Sequence, residues 1–131
     1  MVIDTSAVLA ILLAEDDASR YARVIEEQPS CRISAANYLE AALVIDNRGD
    51  AQASREFELF FRRSGIVIEP VTREQAEVAR QAYRDYGKGR HPAGLNFGDC
   101  LAYALAKTLD EPLLFKGEDF DQTDIGRAAG S

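Results

Sequence analysis

The sequence is poor in the residues that much of enzyme and metal chemistry relies on. Its 131 residues hold one histidine, two cysteines, one methionine and no tryptophan. A lone His91 excludes a two-histidine acid–base ribonuclease, and Cys31 and Cys100 without a CxxC pair support neither a zinc site nor a disulfide framework. Both cysteines read as reduced core residues, the expectation for a cytoplasmic protein. No run of about eighteen uncharged apolar residues occurs, so no membrane span is expected. Basic residues are also few, 15 against 22 acids, for a net charge of −7. That balance excludes a simple nucleic-acid-binding module, whose surface is normally basic.

Charge is unevenly spread. Between Arg80 and Pro92 lie Arg80, Arg84, Lys88 and Arg90 with Asp85 as the one acid. From Lys116 to Asp124 a single lysine faces Glu118, Asp119, Asp121 and Asp124. Apolar residues make up 47%, enough for the core of one domain spanning residues 1–131.

Apolar patterning predicts alternating strands and helices. Met1–Ile3 reads as a strand, with Thr5 or Ser6 capping a helix over Ala7–Ala14. Asp17–Glu27 has the three-four spacing of an amphipathic helix. Cys31–Ile33 is a weak strand, followed by a Ser34 cap and a helix over Ala36–Ile45 that is apolar nearly all round and so predicted buried. Arg55–Phe61 is predicted helical and Ile66–Glu69 a strand, and Thr72 opens a capping box for a helix to Tyr86. Gly87–Gly98 breaks the pattern, Asn96 caps a helix over Phe97–Leu109, and Leu113–Phe115 is a last strand. Short continuous apolar strands favour a parallel sheet with helices on both faces, an α/β fold.

Three acids stand in apolar surroundings. Asp4 follows the first strand, where open parallel sheets place their ligand crevice; its plainer role is a helix cap. Glu40 lies in the most apolar helix, where an ionised carboxylate calls for a basic partner, a metal ion or a narrow wet face. Asp99 stands third after the Asn96 cap, a position the helix dipole also favours. If the three converge they repel unless a divalent cation joins them, and all-oxygen ligation suits Mg²⁺ or Mn²⁺.

Four stretches carry a resemblance: Val2-Ile3-Asp4-Thr5-Ser6-Ala7, Asn37-Tyr38-Leu39-Glu40-Ala41-Ala42-Leu43, His91 through Cys100, and Leu113-Leu114-Phe115-Lys116-Gly117-Glu118-Asp119-Phe120. In this order and spacing they resemble the motifs of the VapC branch of PIN domains, across almost the whole chain. The resemblance implies an α/β/α sandwich with a central parallel sheet and Mg²⁺-dependent endoribonuclease activity as the toxin of a toxin–antitoxin pair. It also implies a homodimer and a VapB-type antitoxin partner. By match, Asp4, Glu40 and Asp99 take the acidic-triad positions, and Ser6 and Asn96 hold water or the acids. The chain departs from the pattern after the last strand, where Gly117 replaces the first acid of a Thr-x-Asp-x-Asp-Phe-like run. Asp119 then matches the second, with an exposed loop acid as its alternative.

Near these motifs, Tyr86, Lys88, Arg90 and His91 form a glycine-punctuated segment expected to meet RNA. Lys88 and Arg90 would take phosphates, and Tyr86 or His91 an unpaired base. Two other functions stay open at this point: a phosphoryl-transfer domain with Asp4 as acceptor and Lys116 as phosphate partner, and a non-catalytic module that keeps the fold.

Overall fold

A computed structural model describes residues 1–131. Four short strands, β1 (Val2–Ile3), β2 (Arg32–Ser34), β3 (Val67–Glu69) and β4 (Leu113–Leu114), form a parallel sheet in the order β3-β2-β1-β4. Between them run α1 (Thr5–Leu12), α2 (Ala18–Glu27), α3 (Ala35–Asp46), α4 (Ala51–Ser64), α5 (Arg73–Tyr86) and α6 (Phe97–Leu109). A 3₁₀ turn over Asp119–Gln122 follows β4.

Side chains alternate across the strands and so build two cores. Ile3, Ile33 and Leu114 pack with residues of α1 to α4, while Val2, Leu113 and Phe115 pack with α5 and α6. The result is the three-layer α/β/α sandwich expected from the alternation. Strand order moves outward from β1 to β3 and then returns to the other side of β1. That reversal puts the crevice of a doubly wound sheet at the carboxyl ends of β1 and β4. The Asp4 amide donates to the Leu114 carbonyl at 2.9 Å, locking the end of β1 beside that of β4.

Several local expectations are corrected. Asp4 itself caps α1, its carboxylate accepting from the Ser6 amide, so neither Thr5 nor Ser6 is the cap. Helix α4 extends well beyond Arg55–Phe61, because Asp50 accepts from the amides of Gln52 and Ala53 and left-handed Gly65 ends it. Helix α3 is not buried all round. Asn37, Ala41 and Ile45 form its one buried stripe, while Leu39 and Leu43 are 55% and 51% exposed.

Candidate active site

The carboxylates of Asp4, Glu40, Asp99 and Asp119 come from four separate stretches of chain. Each is positioned by a different local device. Asp4 is 4% exposed at the end of β1. Its Oδ2 accepts from the Ser6 amide at 3.0 Å and the Ser6 hydroxyl at 2.6 Å, and Ser6 Oγ in turn accepts from the Lys116 amide at 2.9 Å. Ser6 thus ties Asp4 to the segment leaving β4.

Glu40 is half-buried, its Oε1 2.5 Å from the Thr5 hydroxyl. That hydroxyl also lies 3.2 Å from the Asn37 carbonyl. Glu40 rests directly on Gly98: a Cβ added there would stand 2.3 Å from Glu40 Oε2 and 2.6 Å from Oε1. The absence of a side chain at position 98 is what admits the carboxylate.

Asp99 sits in the first turn of α6, in a reciprocal capping box with Asn96. Its amide donates to Asn96 Oδ1 at 2.9 Å, and the Asn96 amide donates to Asp99 Oδ2 at 3.0 Å. The plain structural role and the candidate chemical role therefore coexist at Asp99, as they do at the capping Asp4. Asp119 is exposed and opens the 3₁₀ turn after β4, which is anchored by Phe120 packed against Phe115 with ring centroids 5.0 Å apart.

Electrostatics link Asp4 with Asp99 and Glu40, and Asp99 in turn with Asp119. Burial pushes the Asp4 carboxyl up to about 7; the two Ser6 hydrogen bonds oppose the rise, and the charges of Asp99 and Glu40 add to it. The Asp99 carboxyl is also raised, first by burial and then by Asp119 and Glu40, against the hydrogen bond from Asn96. No lysine or arginine forms an ion pair with any of the four. A cluster of carboxylates without a counter-ion is an all-oxygen donor set of the kind Mg²⁺ or Mn²⁺ takes. Beside it the Asn37 Oδ1, fully buried, has no hydrogen-bond partner.

The set is open, not a closed cage: no three of the acids converge on a common coordination point. Asp4 is turned onto Ser6, Glu40 onto Thr5 and Asp99 onto the Asn96 amide. An entering ion would exchange some of these local bonds, and an open site suits Mg²⁺, which keeps several of its waters.

Two residues gain roles that sequence reading did not assign. Thr5 holds Glu40. Asn37, wholly buried on α3, donates from Nδ2 to the Gly98 carbonyl at 3.0 Å and so clamps α3 to the start of α6. An asparagine inside an otherwise apolar helix stripe was the available signal for the second.

Lys116 does not face Asp4. Its ammonium pairs with Glu15 and, at 3.2 Å, with Asp17, so the lysine that the phosphoryl-transfer alternative assigns to phosphate is engaged with acids outside the cluster. Asp121 pairs with Arg127 at 2.9 Å and takes no part in the cluster.

The segment between α5 and α6 is closed by bonds between Lys88 N and the Leu95 carbonyl, 2.9 Å, and between Leu95 N and the Tyr86 carbonyl, 3.0 Å. Lys88 and Arg90 are exposed on it. Tyr86 and His91 are less available than expected. Tyr86 is half-buried, edge-on to His91 with centroids 5.2 Å apart and 5.9 Å from Tyr103, and His91 Nδ1 accepts from the Ala93 amide at 3.0 Å. The exposed rings nearby are Tyr83 and Phe97.

Comparison with known proteins agrees with this architecture. The chain is 51% identical over 129 residues to ribonuclease VapC28 of Mycobacterium tuberculosis, covering 98% of this chain and 97% of that one. It is 50% identical over 125 residues to the ribonuclease VapC of Mycolicibacterium smegmatis, covering 95% and 97%. Among solved structures, VapC20 of M. tuberculosis, a sarcin–ricin loop cleaving toxin, superposes with a TM-score of 0.75 at 18% identity, covering 95% of both chains. FitAcB of Neisseria gonorrhoeae gives 0.69 at 15%, covering 98% and 96%. Residues 1–126 match the PIN domain, and the chain belongs to that family.

Proposed function

We propose that this chain is a metal-dependent endoribonuclease, the toxin of a VapBC-type toxin–antitoxin pair. The observation that carries the reading is the gathering of Asp4, Glu40, Asp99 and Asp119 at the switch point of the sheet with no cation paired to them. Relatives named ribonuclease VapC over nearly the whole chain support the RNA substrate.

Asp4 and Asp99 would hold Mg²⁺ or Mn²⁺, with Glu40 binding directly or through water. Bound there, the ion supplies positive charge to the phosphodiester and acidifies a water molecule. The chain's own residues do the positioning. Ser6 fixes the Asp4 carboxylate, Asn96 fixes Asp99, and Thr5 and Gly98 fix the height of Glu40 on α3. Asp119 stands at the outer edge of the group, beside Asp99, as its fourth acid.

In the test, purified chain is incubated with labelled single-stranded RNA and Mg²⁺, with and without excess chelator, and melting is followed in parallel. Cleavage should require the metal. Because an ion that binds only the folded state stabilises it by mass action, saturating Mg²⁺ or Mn²⁺ at about 100 times its Kd should add about 2.7 kcal/mol. Undiminished cleavage in chelator, with no metal-dependent rise in Tm, would overturn the metal-dependent reading.

The proposed assembly is a homodimer bound to a separate basic antitoxin, whose charge would complement the net −7 of this chain. The exposed strip of Leu39, Leu43 and Val44 on α3, beside the exposed Val67 and Ile68 of β3, is the face offered for self-association. Light scattering should give a dimer for the parent and a monomer for the Leu39→Glu, Leu43→Glu double variant, with dimer Kd raised on the order of 100-fold. A parent that stays monomeric at high micromolar concentration would remove the dimer from the proposal. Two cysteines that are both free and buried fit a reducing compartment such as the cytoplasm.

A further inference from the structure

Helices α5 and α6 leave between them an open cleft of about 800 Å³, walled by apolar residues that include Leu101, with the Tyr83 ring along it and Phe97 at its end. Phe97 is 79% exposed, more than any other large apolar residue here, and its ring pairs with no other aromatic. Three arginines, Arg80, Arg84 and Arg90, line the same cleft, and no carboxylate does. None of the three forms an ion pair, although acids outnumber bases in the chain 22 to 15. The Arg90 guanidinium lies over the Tyr83 ring, 5.5 Å from its centroid.

An uncompensated cationic wall beside a free aromatic face calls for an anionic occupant that also carries flat apolar groups. Single-stranded nucleic acid has this chemistry. Guanidinium forks pair with phosphate oxygens, and an exposed ring stacks with an unpaired base. The position favours the same occupant. Phe97 is the first residue of α6 and Asp99 the third, so the two stand about 3 Å apart along the helix axis. Phe97, Cys100 and Leu101 face the cleft, whereas Gly98 faces Glu40. An RNA strand with a phosphate at the acids would need to cross only the first turn of α6 to enter the cleft.

We propose that the α5–α6 cleft is the track for the RNA flanking the cleavage point, with an unpaired base stacked on Phe97 and phosphates held by Arg80, Arg84 and Arg90. This rests on the ribonuclease reading and deepens it. It places the RNA contacts on the outer face of α5, with Arg90 shared by the loop, in place of the packed Tyr86 and His91.

The test measures fluorescence anisotropy of a fluorescein-labelled single-stranded RNA of random sequence against full-length protein in a cleavage-dead Asp99→Asn background. Phe97→Ala should weaken binding about ten-fold, and Phe97→Leu by nearly as much, while Phe97→Trp retains it, because a ring stacks where an aliphatic chain does not. The Arg80→Ala, Arg84→Ala, Arg90→Ala triple variant should lower the log–log salt slope by about 2. All four positions are exposed, so Tm should stay at the parent value and serves as the folding control. Full binding by Phe97→Leu, or an unchanged salt slope in the triple variant, overturns the assignment. So does loss of dimerisation or of a co-purifying partner in Phe97→Ala with RNA affinity intact, which would make the cleft a protein-docking surface. If the parent binds RNA and wild-type protein cuts it while the variants bind equally well, only the cleft assignment fails. If the parent binds none and wild type cuts none, the ribonuclease reading fails with it.

Discussion

Asp4→Asn and Asp99→Asn each lower RNA cleavage on the order of 10³-fold while the metal-free fold becomes more stable above neutral pH. The two effects have one cause. Asp4 is buried and stands near Asp99 and Glu40, so its carboxyl is pushed up to about 7 from 3.8. In the folded state it therefore holds a proton that the unfolded chain has already released between about pH 4 and pH 7. Stability from this group is fully present below about 3.8 and is lost as pH rises through about 7. Asp99, also raised, acts in the same direction. Asp121 and Asp124 are lowered by Arg127 and Lys107 and act oppositely, so the informative quantity is the difference between variant and parent.

Three pKa units correspond to at most about 4 kcal/mol, and even about 1 kcal/mol of it raises Tm by roughly 4 °C in a domain of this size. Asparagine keeps an oxygen for the Ser6 donors and removes the charge. Melting in excess chelator should thus show Asp4→Asn above the parent at pH 8, with the gap closing toward pH 4. Metal should raise the parent's Tm much more than the variant's. A variant less stable than the parent at pH 8, or one that still cuts RNA at the parental rate, would remove Asp4 from the site.

Much of this was legible in the sequence because it rests on local signals. Ser34, Thr72 and Asn96 announce helix starts, and strands of continuous apolar residues announce a covered parallel sheet. Asp4 and Asp99 could be singled out because caps and strand ends fix where a side chain lies. Helix α3 departs from its predicted burial because composition does not say which apolar face has a partner within the chain. Leu39 and Leu43 are apolar yet uncovered. Likewise Tyr86 looked free on a glycine-rich loop, but the bridge from Gly87 to Leu95 folds it back toward Tyr103. The Thr5–Glu40 and Asn37–Gly98 contacts join residues 35 and 61 apart in the chain, beyond any periodicity.

Gly98→Ala should separate catalysis from stability more sharply than any change at an acid. Gly98 is helical with no left-handed backbone angle, so alanine suits its conformation and should favour α6 by up to about 1 kcal/mol. The new methyl, however, would stand 2.3 Å from Glu40 Oε2, within van der Waals exclusion. The atoms in its way are the far end of a flexible side chain, so Glu40 moves and the helices stay. That motion breaks the 2.5 Å contact with Thr5 and takes one carboxylate away from Asp4 and Asp99. A displacement of about 1 Å at a reacting group costs about 10²-fold in rate. The expected result is a Tm within a few degrees of the parent, cleavage reduced about 10²-fold, and weaker Mg²⁺-dependent stabilisation. Glu40→Ala combined with Gly98→Ala should be no worse than Glu40→Ala alone, since the methyl then has nothing to displace. Strictly additive losses in the double variant, or full activity in Gly98→Ala, would show that Glu40 does not act from the place where Gly98 admits it.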